Sequence, residues 1–207
     1  MANSAPQTAV KRADARRNIE AILDAAALCL SRDADASIAE IAQAAGVGRV
    51  TLYGHFASRA QLIDAVVARA IEEGDESLEA LDLSGDPRAA LVRLIGASWL
   101  TLVQIGSLVT AAETALAPER MRELHQRPAS RVEWLVERGR AEGVFRTDLP
   151  TPWLVGTLHR VMHGAAEEIR AGRLASEDAA AVIAATVLAA YTPPGGTVPP
   201  AQMWAQS

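Results

Sequence analysis

A chain of 207 residues, half of them hydrophobic, can bury a sizeable core in one or two domains, and an aromatic share of only 4% in an Ala-rich chain favours close-packed helices over a sheet. The single Cys excludes an intrachain disulfide; no apolar h-region follows Met1 and no run of about 18 apolar residues occurs, so neither a secretory signal nor a membrane span is expected and a cytoplasmic protein is. The net charge of −5 hides an asymmetry: residues 1–60 hold seven Lys/Arg against six Asp/Glu and residues 61–207 hold thirteen against nineteen, a small basic footprint on an acidic body.

Residues 1–12 read as a disordered leader. From about Asp14 to Leu30 the spacing predicts an amphipathic helix whose stripe of Ile19, Ile22, Leu23, Ala26, Ala27 and Leu30 would pack behind the helices of residues 37–59. Cys29 lies in this helix as core; a redox role would need a neighbouring base or second thiol. Arg16 and Arg17 fall on the polar side, as phosphate contacts or as an ordinary solvated face.

Residues 37–59, S-I-A-E-I-A-Q-A-A-G-V-G-R-V-T-L-Y-G-H-F-A-S-R, read as two short helices joined by a tight turn. Ser37 caps the first, Glu40 completes a capping box, and Gly46 stops it in the left-handed conformation that a Gly adopts without a Cβ clash. At about 100° per residue, Leu52 and Phe56 of the second helix face the first. The opposite side holds Val50, Thr51 and Gly54, flanked by Arg49, Tyr53 and His55, and no acidic residue lies between Glu40 and Asp64. Arg grips guanine or phosphate, Val and Thr methyls meet thymine, and Tyr and His donate to phosphate oxygens. A plain helical hairpin inside an all-α protein is the alternative reading of the same pattern.

The run G-V-G-R-V-T-L-Y-G-H-F-A-S-R-A-Q-L, with I-A-Q-A-A just before it, resembles the DNA-binding domain of the TetR family of bacterial transcriptional regulators, over about Arg16 to Val67. The resemblance implies an all-α protein with a helix-turn-helix head at 13–60, a connecting helix at 61–80 and a ligand-binding, dimerising body at 81–192, ahead of a flexible tail at 193–207. It implies DNA contacts from Arg16, Arg17, Ser37, Gly48, Arg49, Val50, Thr51, Tyr53, His55 and Arg59, the last standing where the family usually has a backbone-touching Lys. The sequence departs from the family at three places: Gly48 where Ser is common, Val50 where a small residue is, and Gly54 where a larger polar or aromatic side chain is.

Ser58 caps the connecting helix, which runs into E-E-G-D-E-S, an acidic stretch expected to be solvated; such a helix can act as a lever. L-D-L-S-G-D-P marks a boundary, with Asp86 as N-cap and Pro87 at the first helical position. If the stretch to Leu116 is one helix, Trp99, Val103, Gly106, Thr110 and Glu113 align, and Trp99, Val103, Thr110 and Glu113 become candidates for a largely apolar effector pocket; Gly106 is where that helix would break, and ordinary packing is the alternative. Pro118 opens a further segment that Pro128 must end or kink, and the next helix stops at Gly143. Thr151 and Pro152 open the next helix and Ser176 caps the last; in the family the last two, here about 151–191, pair with their copies in a homodimer.

His159 and His163, four apart, invite a metal reading, but no H-E-x-x-H motif and no third ligand is evident, so packing or interface histidines, and no metal or cofactor, are expected. The expected function is a ligand-responsive regulator, a repressor, that binds a palindromic operator as a homodimer and is released by a small molecule. Two other classes stay open: a helical interaction protein that has lost DNA reading, and an all-α enzyme using Glu113 with His159 or His163.

Overall fold

The computed structural model describes residues 5–198, with side chains described from Asp14 onward except at Gln104. All regular structure among the described residues is helical: α1 Ala5–Arg32, α2 Ile38–Ala44, α3 Arg49–His55, α4 Arg59–Ser77, α5 Pro87–Gln104, α6 Gly106–Ala115, α7 Pro118–Leu124, α8 Gln126–Ala141, α9 Thr151–Arg170 and α10 Ala179–Tyr191. No single helix among them is long and apolar enough to cross a membrane. Two compact units emerge: described residues up to Glu72 with Ile105–Leu124, and Glu73–Gln104 with the residues from His125 onward.

The first unit is built on the α1 stripe. Ile22, Ala26 and Leu30 are fully buried against Ile38, Ile41 and Ala42 of α2, Leu52 of α3 and Leu62, Ile63 and Val66 of α4. Burial of each large aliphatic side chain contributes about 1.5–3 kcal/mol. Leu108, Ala111 and Ala112, spaced to share one face of α6, pack into the same core, and the small Ala side chains let α6 lie close on α1. Arg120 of α7 grips Asp64 of α4 with both carboxylate oxygens, at 2.7 and 3.2 Å.

The structure departs from the sequence expectation here in two ways. α1 begins at Ala5, inside the stretch read as a leader, because Pro6 falls in the first turn, where a missing N–H costs nothing, and the Ala-rich run behind it has high helix propensity. Residues 1–4 of that leader, and 199–207 of the expected tail, lie outside the described residues. The second departure is that α6 and α7 pack with the head-side core, although 81–192 reads from sequence as a single body.

The second unit has its own core, centred on Leu91, Ile95 and Trp99 of α5, Leu135 and Val136 of α8, Phe145 of the following loop, Leu154 and Leu158 of α9, and Ile183, Val187 and Tyr191 of α10. Asp86 caps α5 by accepting from the N–H groups of Arg88 and Ala89 at 2.7 and 3.2 Å. Asp75, in the stretch expected to be solvated, is 2% exposed. Its carboxylate lies 2.8 Å from Arg127 and 3.1 Å from Arg131 of α8, so two guanidinium charges offset part of the cost of its burial, although neither carboxylate oxygen gains a well-aligned hydrogen bond.

Gly143 ends α8 at φ 73°, and the N–H groups of Gly143 and Val144 close on the carbonyls of Arg140 and Gly139, the two-bond glycine cap of a Schellman motif. The chain then turns Phe145 down over Gly139 and edge-on to Tyr191, with ring centroids 5.6 Å apart. The Tyr191 hydroxyl donates to the Leu154 carbonyl at 2.7 Å, and burial pushes its phenol up from the ordinary range. α9 starts one residue earlier than expected, with Pro150 as N-cap, because the Thr151 hydroxyl is taken by Glu137 and Arg140 of α8 rather than by its own backbone. α10 starts at Ala179, three residues after the expected Ser176 cap.

Candidate nucleic-acid interface

Two local devices fix the angle at which α3 leaves α2. The Ser37 hydroxyl accepts from the Glu40 N–H at 3.3 Å while the Glu40 carboxylate accepts from the Ser37 N–H at 2.7 Å, a complete capping box that also holds the Glu40 carboxyl below the usual carboxylate range. At the other end Gly46, at φ 68°, donates to Gln43 while Val47 donates to Ala42, at 3.1 and 3.0 Å. Both ends of α2 are thereby capped, and the left-handed Gly46 sets the direction of the turn.

α3 is a short rod with one anchored side. Leu52 is fully buried and the following Phe56 is 7% exposed, whereas Val50 is 88% and Tyr53 46% exposed, with Arg49, Thr51 and Gly54 also open to solvent and His55 half-buried at the edge. An apolar Val held out on a polar face next to Arg, Thr and Tyr has the mixed character that base edges and methyls require. The structure thus brings Arg49, Val50, Thr51, Tyr53 and His55 onto one helix. Ser37 is exposed but committed to its cap, and Arg16 and Arg17 lie exposed on α1, with Arg17 paired to Asp14.

Arg59 sits differently from the expectation of a reaching phosphate ligand. Its guanidinium bends back onto the Ala34 carbonyl at 2.6 Å and the Ala36 carbonyl at 3.4 Å, bracing the loop between α1 and α2. Sequence spacing could not show this, because the partners are backbone oxygens more than 20 residues away. Ser58 does cap α4, accepting from Gln61 N–H at 3.1 Å.

Gly48 and Gly54 are the positions where a side chain is missing. A Cβ at Gly54 would meet nothing within 4 Å, and one at Gly48 would touch only the Thr51 hydroxyl at 3.9 Å. Gly54→Ala is therefore expected to stabilise the head by about 0.5–1 kcal/mol through helix propensity alone. Chemical denaturation checks this; a stabilised variant that no longer binds DNA would mean that the backbone at Gly54 lies against the nucleic acid.

The four expected effector residues do not form one row. The chain breaks at Ile105, where φ −106° and ψ 13° leave the helical region, so α5 and α6 are separate helices. Trp99, buried, and Val103, exposed, belong to the second unit; Thr110, half-buried, and the exposed Glu113 belong to the first. His159 and His163 do gain company. His125, at the break between α7 and α8, brings its ring to 4.9 Å from His159 and 6.3 Å from His163. Withdrawal from water, then the neighbouring His163, His125 and Arg160 charges, hold the His159 imidazole down at about 3, although part of the residue stays exposed.

Residues 22–66 match the family described as bacterial regulatory proteins, tetR family. The HTH-type transcriptional repressor LfrR of Mycolicibacterium smegmatis is 34% identical over 101 residues, 49% of this chain and 53% of that protein, so the chain spans about half the length of the curated relative it matches. Among solved structures, LfrR from Mycobacterium smegmatis in complex with proflavine superposes with a TM-score of 0.64 at 25% identity, covering 83% of this chain and 94% of the other. The fatty acid degradation regulator FadR from Bacillus halodurans reaches 0.70 at 16% identity, covering 82% and 94%; NalD, the secondary repressor of the MexAB-OprM multidrug efflux pump in Pseudomonas aeruginosa, reaches 0.64 at 21%, covering 86% and 98%.

Proposed function

We propose that the chain is a member of the TetR family of bacterial transcriptional regulators, a repressor that binds a palindromic operator as a homodimer and leaves it when a small molecule binds. The observation that carries this reading is α3 itself: a short helix anchored through buried Leu52 behind the capped α2, whose outward side offers Arg49, Val50, Thr51 and Tyr53. Base readout falls to Arg49, Val50 and Thr51. Tyr53 and His55, with Arg16, Arg17 and the Gly48 backbone, hold phosphates, Ser37 acts through its cap, and Arg59 acts mainly by bracing the loop.

Dimerisation through α9 and α10 is supported by what these helices leave uncovered. Trp153 is 57% and Val182 44% exposed, and the open side of α10 carries Ala181, Ala185 and Ala189, small enough for a second helix to approach closely. Two-fold pairing would present two α3 helices to successive major-groove faces. LfrR is named as a repressor and its solved complex holds proflavine; by analogy we take the effector to be a small, largely apolar molecule, with Trp99 and Val103 as its candidate contacts. Release requires that the effector bind the two conformers with different affinity. Regulators of this family are not enzymes, so the pairing of Glu113 with His159 or His163 as acid and base is not retained.

Fluorescence anisotropy with duplex DNA tests the reading. Arg49→Ala is expected to weaken operator binding by about 1–3 kcal/mol and to relax preference at one base pair. Equal loss on all sequences would make Arg49 a phosphate contact instead. A protein that binds no sequence more tightly than random DNA at physiological salt would be an interaction protein that has lost DNA reading.

A further inference from the structure

The sequence of α9 places His159 and His163 one helical turn apart, which puts two imidazoles on neighbouring positions of one face. What turns a pair into a cluster is Pro128. A proline lacks the N–H that would bond to the carbonyl four residues back and its ring crowds that carbonyl, so a continuous helix cannot run through Leu124. The helix accordingly breaks at His125, with φ −90° and ψ 2°, and resumes at Gln126, and α8 packs along α9. His125 is thereby carried to the two histidines of α9.

One ring nitrogen from each of His125, His159 and His163 lies within 4.8 Å of the other two. The rings of His159 and His163 are 4.2 Å apart, tilted at 45°, and His125 stands edge-on to His159. We propose that His125, His159 and His163 together form a binding site for a divalent transition cation of the zinc class, with the remaining coordination position open to water or an exogenous ligand. Tetrahedral zinc with Zn–N of about 2.0–2.1 Å sets its nitrogens about 3.4 Å apart. Closing from 4.8 Å takes roughly 1 Å of movement, within the reach of imidazole side-chain rotation.

The donor set decides the class of ion. Three imidazoles suit zinc, copper, nickel or cobalt, whereas magnesium and calcium take oxygen ligands. His159 keeps part of its surface exposed, which gives an ion a way in from solvent. The neighbouring cation, Arg160, has its guanidinium drawn over the Trp153 ring, 5.1 Å from the centroid. A bound ion would join the start of α8 to α9, a link that spans 34 residues of sequence between His125 and His159 and stabilises the second unit.

The test uses the full chain without a histidine tag, titrated with zinc chloride in competition with a chromogenic chelator, and with cobalt(II) as a spectroscopic stand-in. The expected result is one zinc per chain with a dissociation constant on the order of 10 µM or tighter, a visible d–d spectrum of tetrahedral cobalt, and a zinc-dependent rise in melting temperature. His125→Ala, His159→Ala and His163→Ala should each weaken binding at least 10-fold. Far-UV circular dichroism and the metal-free melting temperature are recorded for every variant, and a variant that fails to fold is replaced by its Gln counterpart, which keeps volume and polarity. Absence of one-to-one binding below about 100 µM overturns the proposal, as does binding that survives all three substitutions. Binding that depends on His159 and His163 but not on His125 overturns the three-ligand site.

Discussion

Leu52→Ala is expected to destabilise the protein by about 2–5 kcal/mol and to abolish specific DNA binding, although Leu52 touches no DNA. Leu52 is fully buried among Ile22, Ile38, Ile41 and Leu62, and it is the only buried side chain inside the seven residues of α3. Truncation removes the transfer free energy of the side chain and leaves a cavity between helices too well packed to collapse onto it. α3 would then hang from Phe56 alone, and the spread of its orientations would exceed what base contacts tolerate. Hydrogen exchange should show the amides of 49–56 losing protection before those of α4, alongside a lower urea midpoint. Unchanged midpoint and unchanged operator affinity together would show that α3 is held by its capped turn and not by its core contact.

The contrast with Arg49→Ala separates the two ways in which this helix works. Arg49 is exposed, so its loss should leave the urea midpoint within about 0.5 kcal/mol of wild type while binding falls. Leu52 should move both. A side chain that changes only affinity reads or grips DNA; one that changes both positions the reader.

The helix-turn-helix was legible because every device that makes it is local. Ser37 and Glu40 are three residues apart, Gly46 lies at the end of α2, and Leu52 and Phe56 are four apart, so capping and periodicity speak directly. The rest depends on distance in sequence. Nothing near Asp75 announces Arg127 and Arg131, and an acidic run ordinarily stays in water. Arg59 looked free for phosphate because backbone carbonyls carry no sequence signal. The break at Ile105 was partly legible through Gly106, but the apolar residues around it face several directions and periodicity could not say to which core α6 belongs. Pro128 did announce a break; that the break would carry His125 to His159 could not be read from either segment alone.

Gly139→Ala is the second substitution with a large expected effect, and its sign depends on one ring. A Cβ at Gly139 would lie 2.1, 2.5 and 2.8 Å from the Cδ2, Cε2 and Cγ atoms of Phe145, distances at which something must move. Phe145 is 2% exposed and has Tyr191 across its edge, so its ring cannot shift without disturbing the Tyr191 hydrogen bond to Leu154. Overpacking of this kind costs about 1–3 kcal/mol, and a ring forced out of the core costs up to about 3–5 kcal/mol, against a helix-propensity gain of about 1 kcal/mol for Ala over Gly. A net loss of about 2 kcal/mol is expected, read as a lower denaturation midpoint. In a Phe145→Ala background the clash is gone and only the propensity gain remains, so Gly139→Ala should there raise the midpoint. The same loss in both backgrounds would mean that Gly139 is required by the backbone of α8 and not by the ring above it. Tyr191 ends α10, one of the two proposed dimer helices, so the single variant should also shift sedimentation towards monomer, whereas restored packing should not.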